Sequence, residues 1–73
     1  MQKETLNIIK AAEHELFLNQ ITVQKINHQI SLTDFLHTID INNHPNLQKL
    51  NNLIPDCRII NMCGQPVLQI TKL

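Results

Sequence analysis

The sequence predicts a small α+β domain, with helices before residue 55 and a β-hairpin after it. Three observations favour this class. Apolar residues follow helical spacing in several segments ahead of Pro55, and they follow a period of two beyond it. The only glycine, Gly64, lies between the two period-two segments, where a turn is expected. At 73 residues the chain is expected to fold as one domain, residues 1–73.

The first helix is predicted over residues 2 to about 18. Leu6, Ile9 and Leu16 follow helical spacing, and Glu4 near the start interacts favourably with the helix dipole. No secretory leader or membrane span is indicated at this end, so a cytoplasmic protein is expected.

Residues 21–29 fit two structures. Ile21 and Val23 alternate, and β-branched residues are enriched in strands, which favours an extended segment here. The same apolar residues also fit helical spacing. The sequence leaves strand and helix open for residues 18–29.

A second helix is predicted to begin at Ser31. Ser31 and Asp34 are three residues apart, as in a capping box with Asp in place of Glu. One apolar stripe follows this cap at helical spacing: Leu32, Phe35, Leu36 and Ile39.

A third helix is predicted between Pro45 and Pro55, after a polar turn at residues 40–44. Proline is tolerated in the first helical turn and prevents a helix from continuing further on. The apolar residues of this helix are Leu47, Leu50, Leu53 and Ile54, of which the three leucines are expected to face inward.

The end of the chain is predicted to form a hairpin. Residues 58–62 and 67–71 are the two strand candidates, and Cys63, Gly64, Gln65 and Pro66 lie between them. Cys57 is expected in the core and Cys63 near the turn.

This order of elements resembles the winged helix-turn-helix class. Ile39-Asp40-Ile41 resembles the Leu-Gly-Ile that often closes the second helix of that fold, and Gly64 lies where the wing tip turns. The resemblance covers residues 30–71. It implies that the helix from Asn46 to Leu53 is a recognition helix.

The resemblance also implies a set of contact residues. Carboxamides can form paired hydrogen bonds with adenine, and lysine can contact guanine or phosphate. Phosphate contacts would be helped by the N-terminus of the recognition helix. The expected contact residues are Asn46, Gln48, Lys49, Asn51 and Asn52 on that helix, with Arg58 and Lys72 beyond it.

Charge and composition limit the possible roles. Six basic and six acidic residues balance, so the chain has no overall positive field that would attract nucleic acid or anionic lipid. Net charge also does not oppose self-association into a homodimer. Without Trp or Tyr, the chain lacks the usual stacking platform of single-stranded nucleic-acid binders. Two hypotheses follow: a regulator that binds duplex DNA weakly or as a dimer, and a protein-interaction module of the same fold.

Catalytic and metal chemistry find little support in the sequence. The four histidines and two cysteines show none of the close ligand pairs of structural zinc sites. One glycine cannot form a phosphate-binding glycine loop. We therefore expect no cofactor, no metal and no enzymatic activity.

Overall fold

The computed structural model describes residues 2–26 and 29–70, and there it places four α-helices against one antiparallel sheet. The helices are α1 (Lys3–Leu18), α2 (Gln20–Gln24), α3 (Leu32–Leu36) and α4 (Pro45–Leu53), with a 3-10 turn at Ile41–Asn43. The strands are β1 (Gln29–Ser31), β2 (Cys57–Met62) and β3 (Gln65–Ile70). The predicted α+β class, the N-terminal helix and the C-terminal hairpin are confirmed.

The strand predicted over residues 21–29 is wrong for its first part, because residues 20–24 form helix α2. Val23 is fully buried, whereas Ile21 is 70% exposed. In a strand these two side chains would share a face, and only a helix turns them to different sides. Residues 27 and 28 lie outside the described residues, and β1 begins at Gln29.

The predicted Ser31 cap of the second helix is confirmed. The Ser31 hydroxyl accepts a hydrogen bond from the Asp34 backbone N–H at 3.1 Å and so caps α3. Leu32, Phe35 and Leu36 are buried, as the stripe predicts, whereas Ile39 lies beyond the end of α3 and is half-buried.

Helix α4 begins at Pro45 as predicted, but its inner face differs from the prediction. Leu47 and Leu50 are fully buried, whereas Leu53 is 48% exposed, so the expectation that Leu53 faces inward is wrong. Ile54 is buried instead. Residues 47, 50 and 54 follow i, i+3, i+7 spacing and form one stripe, which leaves residue 53 at its edge.

The sheet has the strand order β1-β2-β3, and both neighbouring pairs are antiparallel. Ile30, Ile59 and Leu68 are aligned across the three strands on the face turned to the helices. The hairpin turn consists of Cys63 and Gly64, with φ of 55° and 86°. A positive φ at both central residues is what a type I′ turn requires, and this turn matches the twist of the strands. It is shorter than the four-residue connection predicted.

The core lies between the helices and the inner face of the sheet. Two side-chain amides connect the hairpin to the segment at α2. Asn61 of β2 donates to the Ile26 carbonyl oxygen at 3.0 Å, and Gln24 of α2 donates to the Gly64 carbonyl oxygen at 3.4 Å. Among the described residues, no helix has the length and apolar character needed to cross a bilayer. The buried hydrophobic residues are Ile9, Ala12, Leu16, Val23, Leu32, Phe35, Leu36, Leu47, Leu50, Ile54, Cys57 and Ile59.

Candidate interaction face on the fourth helix

The N-terminus of α4 is capped by a side chain from α1. His44, at the N-cap position, provides no side-chain cap, and the carboxylate of Glu15 takes its place. One carboxylate oxygen accepts from the Leu47 N–H at 3.0 Å, and both lie within 3.1 Å of the Asn46 backbone nitrogen. Glu15 is only 7% exposed. A buried carboxylate at this end is stabilised by the free N–H groups and by the helix dipole.

This arrangement corrects two expectations about the start of α4. Asn46 does not face freely outward, because its side-chain amide donates to Glu15 Oε2 at 2.6 Å and the residue is half-buried. The helix N-terminus was also expected to help bind phosphate. The Asn46 and Leu47 N–H groups are already bound to the Glu15 carboxylate, so these donors are not free to bind a phosphate.

The outward face of α4 is formed by its middle and last turns. Lys49, Asn52 and Leu53 are exposed, and Asn52 accepts a hydrogen bond at 3.1 Å from the side-chain amide of Gln48. Gln48 itself is half-buried. This face combines carboxamides, one cation and one apolar side chain, and α4 contains no acidic residue.

Asn51 has a structural contact in addition to its predicted role. Its side-chain oxygen accepts from the Thr33 hydroxyl of α3 at 3.0 Å, and the residue is half-buried. The role of Asn51 as a contact residue stays a prediction, and the structure adds this bond to α3. This bond helps to hold α3 and α4 together.

The turn between α3 and α4 is ordered by Asp40. Its carboxylate accepts from the Asn42 backbone N–H at 3.1 Å and from the Asn43 side-chain amide at 3.0 Å. A ring nitrogen of His44 lies 2.8 Å from the Asp40 carbonyl oxygen. These local bonds set the direction in which the chain enters α4.

No contact among the described residues links the two predicted cations beyond α4, Arg58 and Lys72, to the face of α4. Arg58 is exposed on β2, and it alternates with Cys57 and Ile59, so it lies on the face of the sheet turned away from the core. Lys72 lies outside the described residues. Lys49 is therefore the one predicted cation that the structure places on the candidate face.

The cysteines occupy the places that the sequence predicts. The Cys57 thiol is buried and donates to the Ile54 carbonyl oxygen at 3.1 Å. Burial raises the pKa of this thiol, and the negative charge of Asp56 raises it further. Cys63 is exposed at the hairpin turn. Within residues 2–26 and 29–70, no three His, Cys, Asp or Glu side chains lie close enough to hold a metal ion.

Glu15 is the residue that sequence reasoning missed, although two signals could have found it. Glu15 lies three residues after Ala12 and directly before Leu16, among the buried positions of α1, so an acid on this side requires a partner. Helix α4 begins at His44-Pro45 without a Ser, Thr, Asp or Asn cap, so its cap had to come from elsewhere in the fold.

No protein-family model, curated protein or solved structure matches this chain. The winged helix-turn-helix class remains a prediction from the order of the elements.

Proposed function

We propose that this chain is a non-enzymatic regulator that binds duplex DNA weakly and presents α4 to the major groove. The observation that carries this proposal is the outward face of α4, where Gln48, Lys49 and Asn52 lie together on a helix without acidic residues. A short helix entering the major groove can read base edges with amide and lysine side chains.

The way α4 is held supports the same role. Glu15 holds its start against α1, and Asn51 joins it to α3 through Thr33. A recognition helix fixed at several points loses little conformational entropy on binding. The hairpin of β2 and β3 follows α4 in the chain, which is where a wing would be expected.

The charge balance limits the affinity. Three cations are assigned to phosphate contact: Lys49 on the outward face of α4, Arg58 on the outer face of the sheet, and Lys72. Each neutralised phosphate contributes about −0.9 to the slope of log K against log salt, so the slope is expected to lie between about −1 per protomer for Lys49 alone and about −3 for all three cations. Binding should be weak at physiological salt and detectable at low salt.

The test is a salt titration of binding to a fluorescent mixed-sequence duplex of about 20 base pairs. Binding at about 50 mM salt, with a slope between about −1 and −3 per protomer, supports the proposal. Lys49→Glu should weaken binding at least about tenfold, because it places a negative charge against phosphate. Asn52→Ala should change the preference among duplex sequences.

Lys3→Glu is the matched control for Lys49→Glu. It makes the same change in net charge at the exposed first residue of α1, outside the predicted contact set, and should leave the affinity near that of the parent chain. Equal losses in both variants would show that only overall charge matters. No binding at low salt would exclude the DNA hypothesis.

A protein-interaction module is the second candidate. Leu53 on the outward side of α4 is 48% exposed, and Ile41 just before α4 is 41% exposed. Apolar side chains next to carboxamides are also what a protein partner would contact. Failure of DNA binding at low salt, with the fold intact, would favour this candidate.

A further inference from the structure

An exposed stripe on α1 has a pattern that is complementary to itself. Leu6, Lys10, Glu13 and Phe17 are four, three and four residues apart, so they lie on one side of the helix. All four are exposed, with Leu6 at 41% and Phe17 at 51%. Two apolar residues thus lie at the ends of the stripe and two opposite charges at its centre.

We infer that α1 pairs with α1 of a second copy of this chain, in an antiparallel dimer with twofold symmetry. In that arrangement Lys10 of each copy faces Glu13 of the other, and Leu6 of each faces Phe17 of the other. The residue numbers of both pairs add to the same value, which is the condition for antiparallel register about one twofold axis. A twofold interface requires a surface that is complementary to itself.

A groove beside the stripe provides space for the partner's leucine. It lies between α1 and β3, has a volume of about 240 Å³, and opens next to Phe17. Leu6 of the second copy would enter this groove. The groove is lined by Glu13, Leu16, Phe17, Gln65, Pro66, Val67 and Leu68.

The charges of the stripe favour this partner over a generic apolar one. In the part of the chain that the structure describes, neither Lys10 nor Glu13 forms an ion pair, so both are available across the interface. The net charge of the chain is zero, so two copies do not repel each other. Charge complementarity sets the antiparallel register, and the apolar ends provide the buried area.

The edge of the sheet can extend the same contact. β3 is an edge strand, and Val67, which lines the groove, is 36% exposed. A stable interface buries about 800 Å² per partner. That is about one sixth of the 4919 Å² surface of this chain, so α1 and the neighbouring edge of β3 are both needed. This inference does not depend on DNA binding.

Sedimentation equilibrium of the full chain over a range of concentrations tests the dimer. The parent chain should pass from 8.4 kDa to twice that mass. Lys10→Glu or Glu13→Lys should raise the dimer dissociation constant about tenfold, because each places like charges together at two symmetric positions. Combining both substitutions exchanges the charges, and the dissociation constant should return to within about threefold of the parent value.

Lys25→Glu is the matched control, since it makes the same change in net charge at an exposed position after α2. It should leave the dissociation constant unchanged. A chain that stays monomeric at all concentrations would overturn the inference. So would a double variant that associates no better than the single ones.

A disulfide test reads the register directly and is done with Cys63 replaced by Ser. A mixture of Leu6→Cys and Phe17→Cys chains should form a mixed disulfide on oxidation. Leu6→Cys chains alone should form none, because the two copies of residue 6 would be about 16 Å apart along the helices. Efficient bonding between two copies of residue 6 would refute the antiparallel pairing.

Discussion

Removing the Glu15 carboxylate should destabilise the fold more than any other substitution of a charged residue described above. The carboxylate satisfies the backbone N–H groups of Asn46 and Leu47 and the side-chain amide of Asn46, at 2.6–3.1 Å. A hydrogen bond to a charged group contributes about 1.5–3 kcal/mol. With two backbone donors left without a protein acceptor, Glu15→Ala should reduce the free energy of unfolding by about 3 kcal/mol.

That loss is large for this chain. A domain of 73 residues has an expected stability of about 4–11 kcal/mol. Glu15→Gln should cost about 1–2 kcal/mol, because its amide keeps one acceptor oxygen and loses the charge. The order of stability should therefore be parent, then Gln, then Ala.

Urea denaturation followed by circular dichroism measures the effect, at concentrations low enough to keep the chain monomeric. Glu13→Ala is the matched control, because it removes an exposed carboxylate two residues away and should change stability by less than about 0.5 kcal/mol. Hydrogen exchange adds a local readout, since the Asn46 and Leu47 amides should lose protection first. A loss below about 0.5 kcal/mol in Glu15→Ala would refute the capping argument.

Three further predictions concern the core, the turn and the thiols. Leu50→Ala should reduce the free energy of unfolding by about 2–5 kcal/mol, whereas Leu53→Ala should reduce it by under about 1 kcal/mol, because only Leu50 is buried. Urea denaturation measures both losses, and equal losses would contradict the observed orientation of α4. Gly64→Ala should reduce the free energy of unfolding by about 1–2 kcal/mol. The reason is the φ of 86° alone, since an added Cβ would meet only a side-chain atom at 3.9 Å. Thermal unfolding measures the loss, and an unchanged stability would contradict the prediction. An aromatic disulfide reagent should label one thiol in the folded chain, that of Cys63, and both thiols after unfolding. Rapid labelling of both thiols in the native protein would show that Cys57 is not protected.

The raised pKa of Cys57 also sets a direction for pH dependence. The unfolded thiol ionises near its ordinary value of 9.0, and the buried thiol ionises at higher pH. The contribution of Cys57 to stability is therefore fully present below about pH 9 and is lost as the pH rises through the folded pKa. Cys57→Ala should show a smaller loss of stability between neutral and alkaline pH than the parent chain, as measured by urea denaturation.

The sequence by itself determined the elements whose signals are local. Ser31 fixes the start of α3, Pro45 fixes the start of α4, and Gly64 forms the turn of the hairpin. Each of these residues acts on its own backbone or on groups within three residues of it. A local signal of this kind operates whatever surrounds it, which is why it can be read without the fold.

Only the tertiary structure decided the features that depend on distant partners. Residues 20–24 form helix α2 in place of the predicted strand. The helix buries Val23 in the core and leaves Ile21 exposed. Glu15 and Asn46 are 31 residues apart in sequence, and their bond changes both the cap of α4 and the set of side chains available on its surface. Residue spacing describes the periodicity of one element, whereas the partner of a buried polar group depends on how the elements pack.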